Sequence, residues 1–441
     1  MSTAQFPAGF RWGVATSAFQ IEGGAHEGGR GQSIWDTFAA IPGAIAHGEH
    51  ADVAADHYHH YRTDVALLQR LGVDSYRMSF AWPRIQPTGA GTVNSAGLDF
   101  YDRLIDELCS AGISPVGTLY HWDLPQSLED KGGWLARDTA HRFAEYAQLL
   151  GERFSDRIDT WIPINEPMVT SVYGYGIGEY APGRMLLLDA LPTAHYQHLA
   201  HGLAVRALRA AGVDAVGTAN NHGPVWPAGE TTADHAAAGS LDALINRLFA
   251  DPVLLGSYPT ELLRYLPAEY EADLDTIAAP LDFYGVNYYE PQLAAAPAED
   301  SPLPFELRPV EGYAMTSNDS PIVPEGLHEL LLEMHHRYGA ALPPIQITEN
   351  GCSFADEPDA DGTVHDPERI DFLSRHLTAL ADAMRDGVDV RGYFVWSLLD
   401  NFEWSHGYEP RFGLAHVEYE TQRRRPKDSF FWYRDRIAEH R

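Results

Sequence analysis

Two glutamates stand where apolar runs stop. The segment "IDTWIPINEP" (158–167) stays largely hydrophobic up to Asn165 and Glu166, and Pro167 then ends any ladder pairing. The segment "PPIQITENG" (343–351) stops in the same way at Glu349, Asn350 and Gly351. On a regular pleat Ile345, Ile347 and Glu349 share one face, so the spacing predicts that the isoleucines carry the carboxylate inward. An ionised carboxylate facing an apolar interior is costly unless it is paired, hydrogen-bonded or open to a cleft. Two carboxyl groups about 5 to 5.5 Å apart are what glycoside hydrolysis with retention requires, one as nucleophile and one as an acid that later serves as base. Arg77 and Tyr289 are the expected partners of Glu349, which would hold it ionised. Glu166 has no cation in its own segment, and a charged Glu349 nearby would keep it protonated. Each residue taken alone also has a plain structural reading: Arg77 as a salt bridge, Tyr289 as a core tyrosine, either acid as a helix-cap or loop residue.

Eight strand-like runs fall at 10–18, 73–82, 113–122, 158–166, 214–221, 281–289, 344–350 and 390–397. Between them lie helical patterns with apolar residues at i, i+3 and i+4 and a glycine at or near the end, as in "YHHYRTDVALLQRLG" and "ERIDFLSRHLTALADAMRDG". Eightfold alternation predicts an α/β fold, a parallel (β/α)8 TIM barrel, with residues 1–441 forming a single catalytic domain. Chemistry in such barrels gathers at the carboxyl ends of the strands. Those ends carry Arg77, His121, Trp122, Asn165, Glu166, Asn287, Tyr289, Glu349 and Trp396, a mixture of aromatics, amides and carboxylates that suits a carbohydrate better than a phosphate, a metal or a nucleotide. The irregular stretch 290–321 is too long for an ordinary loop and is expected to form a lid or a pocket wall after the sixth strand.

With 62 acidic and 31 basic residues in 441, the formal charge is −31, which argues against nucleic acid and anionic membranes as partners. Two cysteines, Cys109 and Cys352, cannot build a disulfide framework. No window approaches the roughly 20 apolar residues of a membrane span, and the first residues lack a signal-peptide pattern. The expectation is a cytoplasmic protein acting on a small molecule, its oligomeric state open. In "DHYHHYRTD" (56–64) His57 and His60 lie one helical turn apart, but no third ligand is evident. The cluster reads as a partly solvated helix start, and no metal or other cofactor is expected.

The chain resembles glycoside hydrolase family 1, the retaining β-glucosidases, along nearly its whole length. The resemblance rests on "FRWGVATSAFQIEG", "SIWDTF", "YRMSFAWPRI", "TLYHWDLP", "INEP", "GVNYY", "ITENG" and "GYFVWSLLDNFEWSHGYEPRFGL". It implies Glu166 as acid/base and Glu349 as nucleophile, assisted by Arg77 and Tyr289. It implies a sugar pocket of Gln20, His121, Trp122, Asn165, Trp396, Glu403 and Trp404; Asn287, which shares a strand face with Tyr289, and Phe412 are expected to bind substrate with them. Glu403 stands where relatives that cleave 6-phosphorylated sugars carry a small hydroxyl residue, so a neutral sugar is expected, with glucose first and galactose or fucose tolerated. Three positions depart from the family pattern. Asp319 and Ser320 replace a Gly-Trp pair, which predicts the loss of an aromatic wall for the leaving group. Pro410 and Cys352 also differ from common family choices. A sugar-binding barrel without catalysis, and transfer to acceptors other than water, are the alternative readings.

Overall fold

The computed structural model describes residues 5–441. Eight parallel strands among them form the centre: β1 Arg11–Ala15, β2 Ser75–Ser79, β3 Ser114–Tyr120, β4 Thr160–Ile164, β5, β6 Tyr284–Asn287, β7 Ile345–Asn350 and β8 Val390–Trp396. β5 comes in two pieces, Ala215–Val216 and Asn220–Asn221. Neighbours in sequence are neighbours in the sheet, and β8 returns to pair with β1, Trp396 opposite Ala15. The first piece of β5 pairs with β4 and the second with β6, while single bridges at Gly217–Phe283 and Asn165–Ala219 fill the gap. The sheet therefore closes into a (β/α)8 barrel. Each strand falls inside one of the eight segments expected from sequence.

The helices between strands form for local reasons. His57–Leu71 buries Tyr61, Val65 and Leu68 along one stripe and stops at Gly72, whose φ of 78° lets its N–H bond Leu68 O at 3.0 Å. Arg137–Phe154 buries Phe143, Tyr146, Ala147 and Leu150 in the same manner. These stripes pack on the outward faces of the strands, and a second, smaller apolar cluster fills the barrel itself: Ala15, Val116, Ile162, Ala219, Phe283 and Phe394. Two glycines make room for it. A Cβ on Gly13 would meet the Phe394 ring at 2.3 Å, and one on Gly217 the Phe283 ring at 2.5 Å. The phenylalanines thus plug the barrel floor and leave its carboxyl end open.

The β7 pleat differs from the sequence expectation. Ile345 and Ile347 sit opposite Tyr284 and Val286 and belong to the helix-facing core, so they point outward. The register shifts between Ile347 and Glu349, and Glu349 ends opposite Asn287. A bulge adds one residue and turns the carboxylate inward. Segment 290–321 is also more ordered than a loop. Gln292–Ala295 and Glu306–Arg308 join Val225–Pro227 in a three-stranded sheet that walls the barrel mouth. At the start of the helix after β1, His57 is buried against Asp64 while His60 turns to Asp56, so the two imidazoles face different carboxylates. Among the described residues no group of three metal-ligating side chains is clustered, and no helix is long and apolar enough to cross a membrane.

Candidate active site

All thirteen residues expected at the site come to the carboxyl end of the barrel. Arg77 lies within β2 and Glu349 within β7. His121 and Trp122 follow β3, Asn165 and Glu166 follow β4, and Asn287 and Tyr289 lie at and beyond the end of β6. Trp396 ends β8 and is followed by the loop bearing Glu403, Trp404 and Phe412, while Gln20 sits on the short helix Ala18–Ile21 after β1. Nine of them line one cavity of about 500 Å³: His121, Trp122, Glu166, Tyr289, Glu349, Trp396, Glu403, Trp404 and Phe412. Gln20, Arg77, Asn165 and Asn287 stand behind that wall, bonded to the groups that face the cavity. Trp122, Glu166 and Trp404 all adopt left-handed φ values, 74°, 45° and 53°, which cost energy for non-glycine residues and cluster here at the cavity.

Glu349 is held by charge. Arg77 Nη1 donates to its Oε1 at 2.6 Å, and Tyr289 OH donates to Oε2 at 2.8 Å. Arg77 is itself fixed by Thr118 Oγ1 at 3.2 Å, Thr348 O at 3.0 Å and Asn165 Oδ1 at 2.6 Å. Burial raises the Glu349 carboxyl above its ordinary value, and the guanidinium, the phenol and Asn287 oppose that rise.

Glu166 receives only amides. Asn287 Nδ2 donates to its Oε1 at 2.6 Å, and Asn221 Nδ2 reaches the same oxygen at 3.4 Å. Burial first, and the charge of Glu349 second, push its pKa up to about 8. Of the two acids, Glu166 is the one without an ion-pair partner, and its raised value favours the protonated form at neutral pH.

The remaining groups form a polar floor and an aromatic side. Glu403 accepts from Asn401 Nδ2 at 2.9 Å and Gln20 Nε2 at 3.2 Å, and burial pushes its carboxyl up to about 8. His121 Nε2 accepts from Asn165 Nδ2 at 3.0 Å. Burial and the Arg77 charge hold His121 neutral, so its Nδ1 carries the hydrogen and is buried without a protein partner. The Trp122 N–H is already committed to Asn165 O at 3.1 Å, leaving the indole face as its contribution. Trp404 packs between Phe19 and Trp122, at ring centroid distances of 5.8 and 4.5 Å.

Three contributors had escaped the sequence reading: Asn221, Thr118 and Asn401. Asn221 ends β5, and its place at a strand's carboxyl end was the available signal. Thr118 and Asn401 act through Arg77 and Glu403, a relation that only coordinates reveal. Cys352, two residues past the bulge-borne Asn350, is buried, and burial raises its thiol to about 12, so it does not form a thiolate at neutral pH.

Residues 2–441 match the family described as Glycosyl hydrolase family 1. The chain is 44% identical over 443 residues to beta-glucosidase A of Thermotoga maritima, covering 98% of each protein. It is 42% identical over 464 residues to the bifunctional beta-D-glucosidase/beta-D-fucosidase of Bifidobacterium breve, covering 99% of each. The crystal structure of a psychrophilic beta-glucosidase from Micrococcus antarcticus aligns over 100% of both chains with a TM-score of 0.95 and 45% identity. A barrel of this geometry, matched end to end by that family, makes the chain a member of glycosyl hydrolase family 1.

Proposed function

We propose that the chain is a retaining β-glucosidase that removes terminal, non-reducing β-linked glucose through a covalent glycosyl-enzyme. In the first step the Glu349 carboxylate attacks the anomeric carbon, the glycosidic C–O bond breaks, and the Glu166 proton goes to the departing oxygen. In the second, ionised Glu166 takes a proton from water, whose oxygen attacks the same carbon, the ester bond to Glu349 breaks, and glucose leaves with its original anomeric configuration. The observation that carries this reading is the asymmetry of the two buried acids: Glu349 is ion-paired to Arg77 at 2.6 Å, and Glu166 meets only amides.

Glu403, held from behind by Gln20, supplies a carboxyl group for sugar hydroxyls, His121 lines the same pocket, and Trp396 and Trp404 supply flat apolar faces. A 6-phosphorylated sugar fits poorly. With Glu403 largely protonated, the objection is less its own charge than the lack of a counter-ion: the described lining holds five carboxyl side chains and no lysine or arginine. The relative from Bifidobacterium breve supports including β-fucosides, and β-galactosides are included with them. The reading takes the whole chain as one catalytic unit, and its two free cysteines suit a reducing, cytoplasmic setting.

A mechanism-based fluoroglucoside that stalls the second step tests the assignment. Peptide mass spectrometry is expected to find the sugar on Glu349. A label on Glu166, or release of the inverted anomer in an NMR time course, would overturn the double displacement.

A further inference from the structure

Outward of Glu166 the cavity changes character. Its inner end is built of carboxyls, amides and tryptophans, but the outer part is walled by aliphatic and benzyl side chains from two separate elements. Leu244 and Ile245 come from the turn that continues helix Thr232–Asp242, and Leu303 and Phe305 come from the sheet-forming segment after β6. Leu244 and Phe305 are otherwise buried, so the cavity is the open space they face.

At the rim the apolar surface reaches solvent. Ile177, Leu187 and Leu307 line the mouth while 38%, 43% and 53% exposed. Leu187 does so with a left-handed φ of 50°, a costly conformation for a leucine. Exposed apolar side chains gathered at a cavity mouth mark a surface meant to be covered.

Most amide and carboxyl side chains of this outer part are already engaged, and the hydroxyls of Tyr173 and Tyr180 are the few groups left beside them. Gln292 Nε2 donates to Glu290 Oε1 at 3.2 Å, and Ser320 bonds the same carboxyl group. Asn318 Oδ1 accepts from the hydroxyls of Thr316 and Ser353 at 2.7 Å each, and Asn221 is turned to Glu166. A second sugar placed here would surrender water from its hydroxyls against Leu, Ile and Phe and find few groups to replace it. A hydrocarbon leaving group suffers no such loss and buries its own surface against the wall. Glu179 and Glu290 in the same lining disfavour an anionic one.

We propose that the leaving-group half of this cavity selects β-glucosides of uncharged lipophilic alcohols over disaccharides, with Leu244 and Phe305 as specificity-determining residues. The inference rests on the β-glucosidase reading and adds the class of alcohol released. The aromatic wall expected to be lost with Asp319 and Ser320 is replaced by an apolar one drawn from other positions.

The test compares kcat/KM for methyl β-D-glucoside, octyl β-D-glucoside below its micelle concentration, and cellobiose. Methanol and octanol depart with nearly equal ease, so their ratio reports binding of the chain and not bond-breaking. The octyl substrate is expected to exceed both others by about tenfold or more. In Leu244→Asn and Phe305→Ser the octyl-to-methyl ratio is expected to fall at least about fivefold, and because it is a ratio, partial loss of folded enzyme cancels. An octyl-to-methyl ratio near one, cellobiose outrunning octyl glucoside, or a ratio untouched by both substitutions would overturn the proposal while leaving the β-glucosidase reading intact. Failure to cleave any of the three would instead remove that reading, and the inference with it.

Discussion

Asp356, Asp366 and Asp400 are buried, as Glu166 and Glu349 are, and lie on loops at the same carboxyl end of the barrel. They are matched by cations. Lys427 Nζ reaches Asp356 at 2.7 Å and Asp400 at 2.8 Å, Arg369 reaches Asp356 at 2.6 Å and Asp366 at 3.0 Å, and Arg411 adds a contact to Asp400 at 3.1 Å. Burial raises Asp400, but Lys427 and Arg411 outweigh it and the group titrates below its ordinary value. Asp366, with Arg369 as its ion-pair partner, remains raised by burial. At the inner end of the cavity only Glu349 has an ion-pair partner, Arg77, and Glu166 and Glu403 are each pushed up to about 8. Depth alone does not set where a carboxyl titrates: the two cations on Asp400 outweigh its burial, and the single arginine on Asp366 does not. One cluster is neutralised and holds loops together, and the other is left short of positive charge and holds protons.

The largest effect should come from removing the one cavity acid that has a cation. Glu349→Gln is expected to lower kcat/KM by about four orders of magnitude or more in a glucoside hydrolysis assay. It should also lower the pKa of Glu166, because the Glu349 charge is one of the causes that raise it, and an infrared or NMR titration of the carboxyl reads that shift directly. Next comes the neutralised cluster. Lys427→Met takes one of two cations from both Asp356 and Asp400, leaving them Arg369 and Arg411, and is expected to cost about 3–5 kcal/mol in denaturant unfolding. A loss below about 1 kcal/mol would show that the two clusters do not differ in the way described. Arg77→Met should reduce kcat/KM by about a hundredfold and move the acidic limb of the pH–rate profile upward, since Glu349 then has only Tyr289 and Asn287 to favour its charge.

The smallest predicted effect extends the comparison to a buried acid that, among the described residues, has no side-chain hydrogen-bond partner. Both carboxyl oxygens of buried Asp123 are unpartnered, and burial raises its pKa from 3.8 to about 8. Between those values the unfolded chain has lost the proton and the folded chain retains it, so stability falls as pH rises through that window and levels off above it. Asp123→Asn should flatten that slope and raise the melting temperature at pH 7.5 by about 2–4 °C.

Much of this was legible in the sequence for identifiable reasons. Strand–helix alternation follows from hydrophobic period, so all eight strands were recognisable. Both acids were visible because a charged residue closing an apolar run breaks the pattern. The direction of Glu349 was right for the wrong reason: a regular pleat would send Ile345 and Ile347 inward, and the bulge that reverses this depends on register against β6, which a single sequence does not display. The ion pair of Glu349 was anticipated from strand positions, but the partition between side chains that face the cavity and those behind them was not. Gln20, Arg77, Asn165 and Asn287 occupy the rear because hydrogen bonds across distant segments draw them there. The apolar outer wall was missed because its residues lie in stretches that read as an ordinary helix and an irregular connection.

The interruption of β5 has a thermal consequence. With two regular pairings to β4 and two to β6, the hoop is most weakly fastened at residues 215–221. That joint adjoins Glu166, whose backbone N–H rests on Ala219 O at 2.7 Å and whose carboxyl is met by Asn221. Local opening needs far less energy than global unfolding. On heating, turnover should fade at temperatures where circular dichroism still reports an intact barrel, and on cooling it should return without a refolding lag.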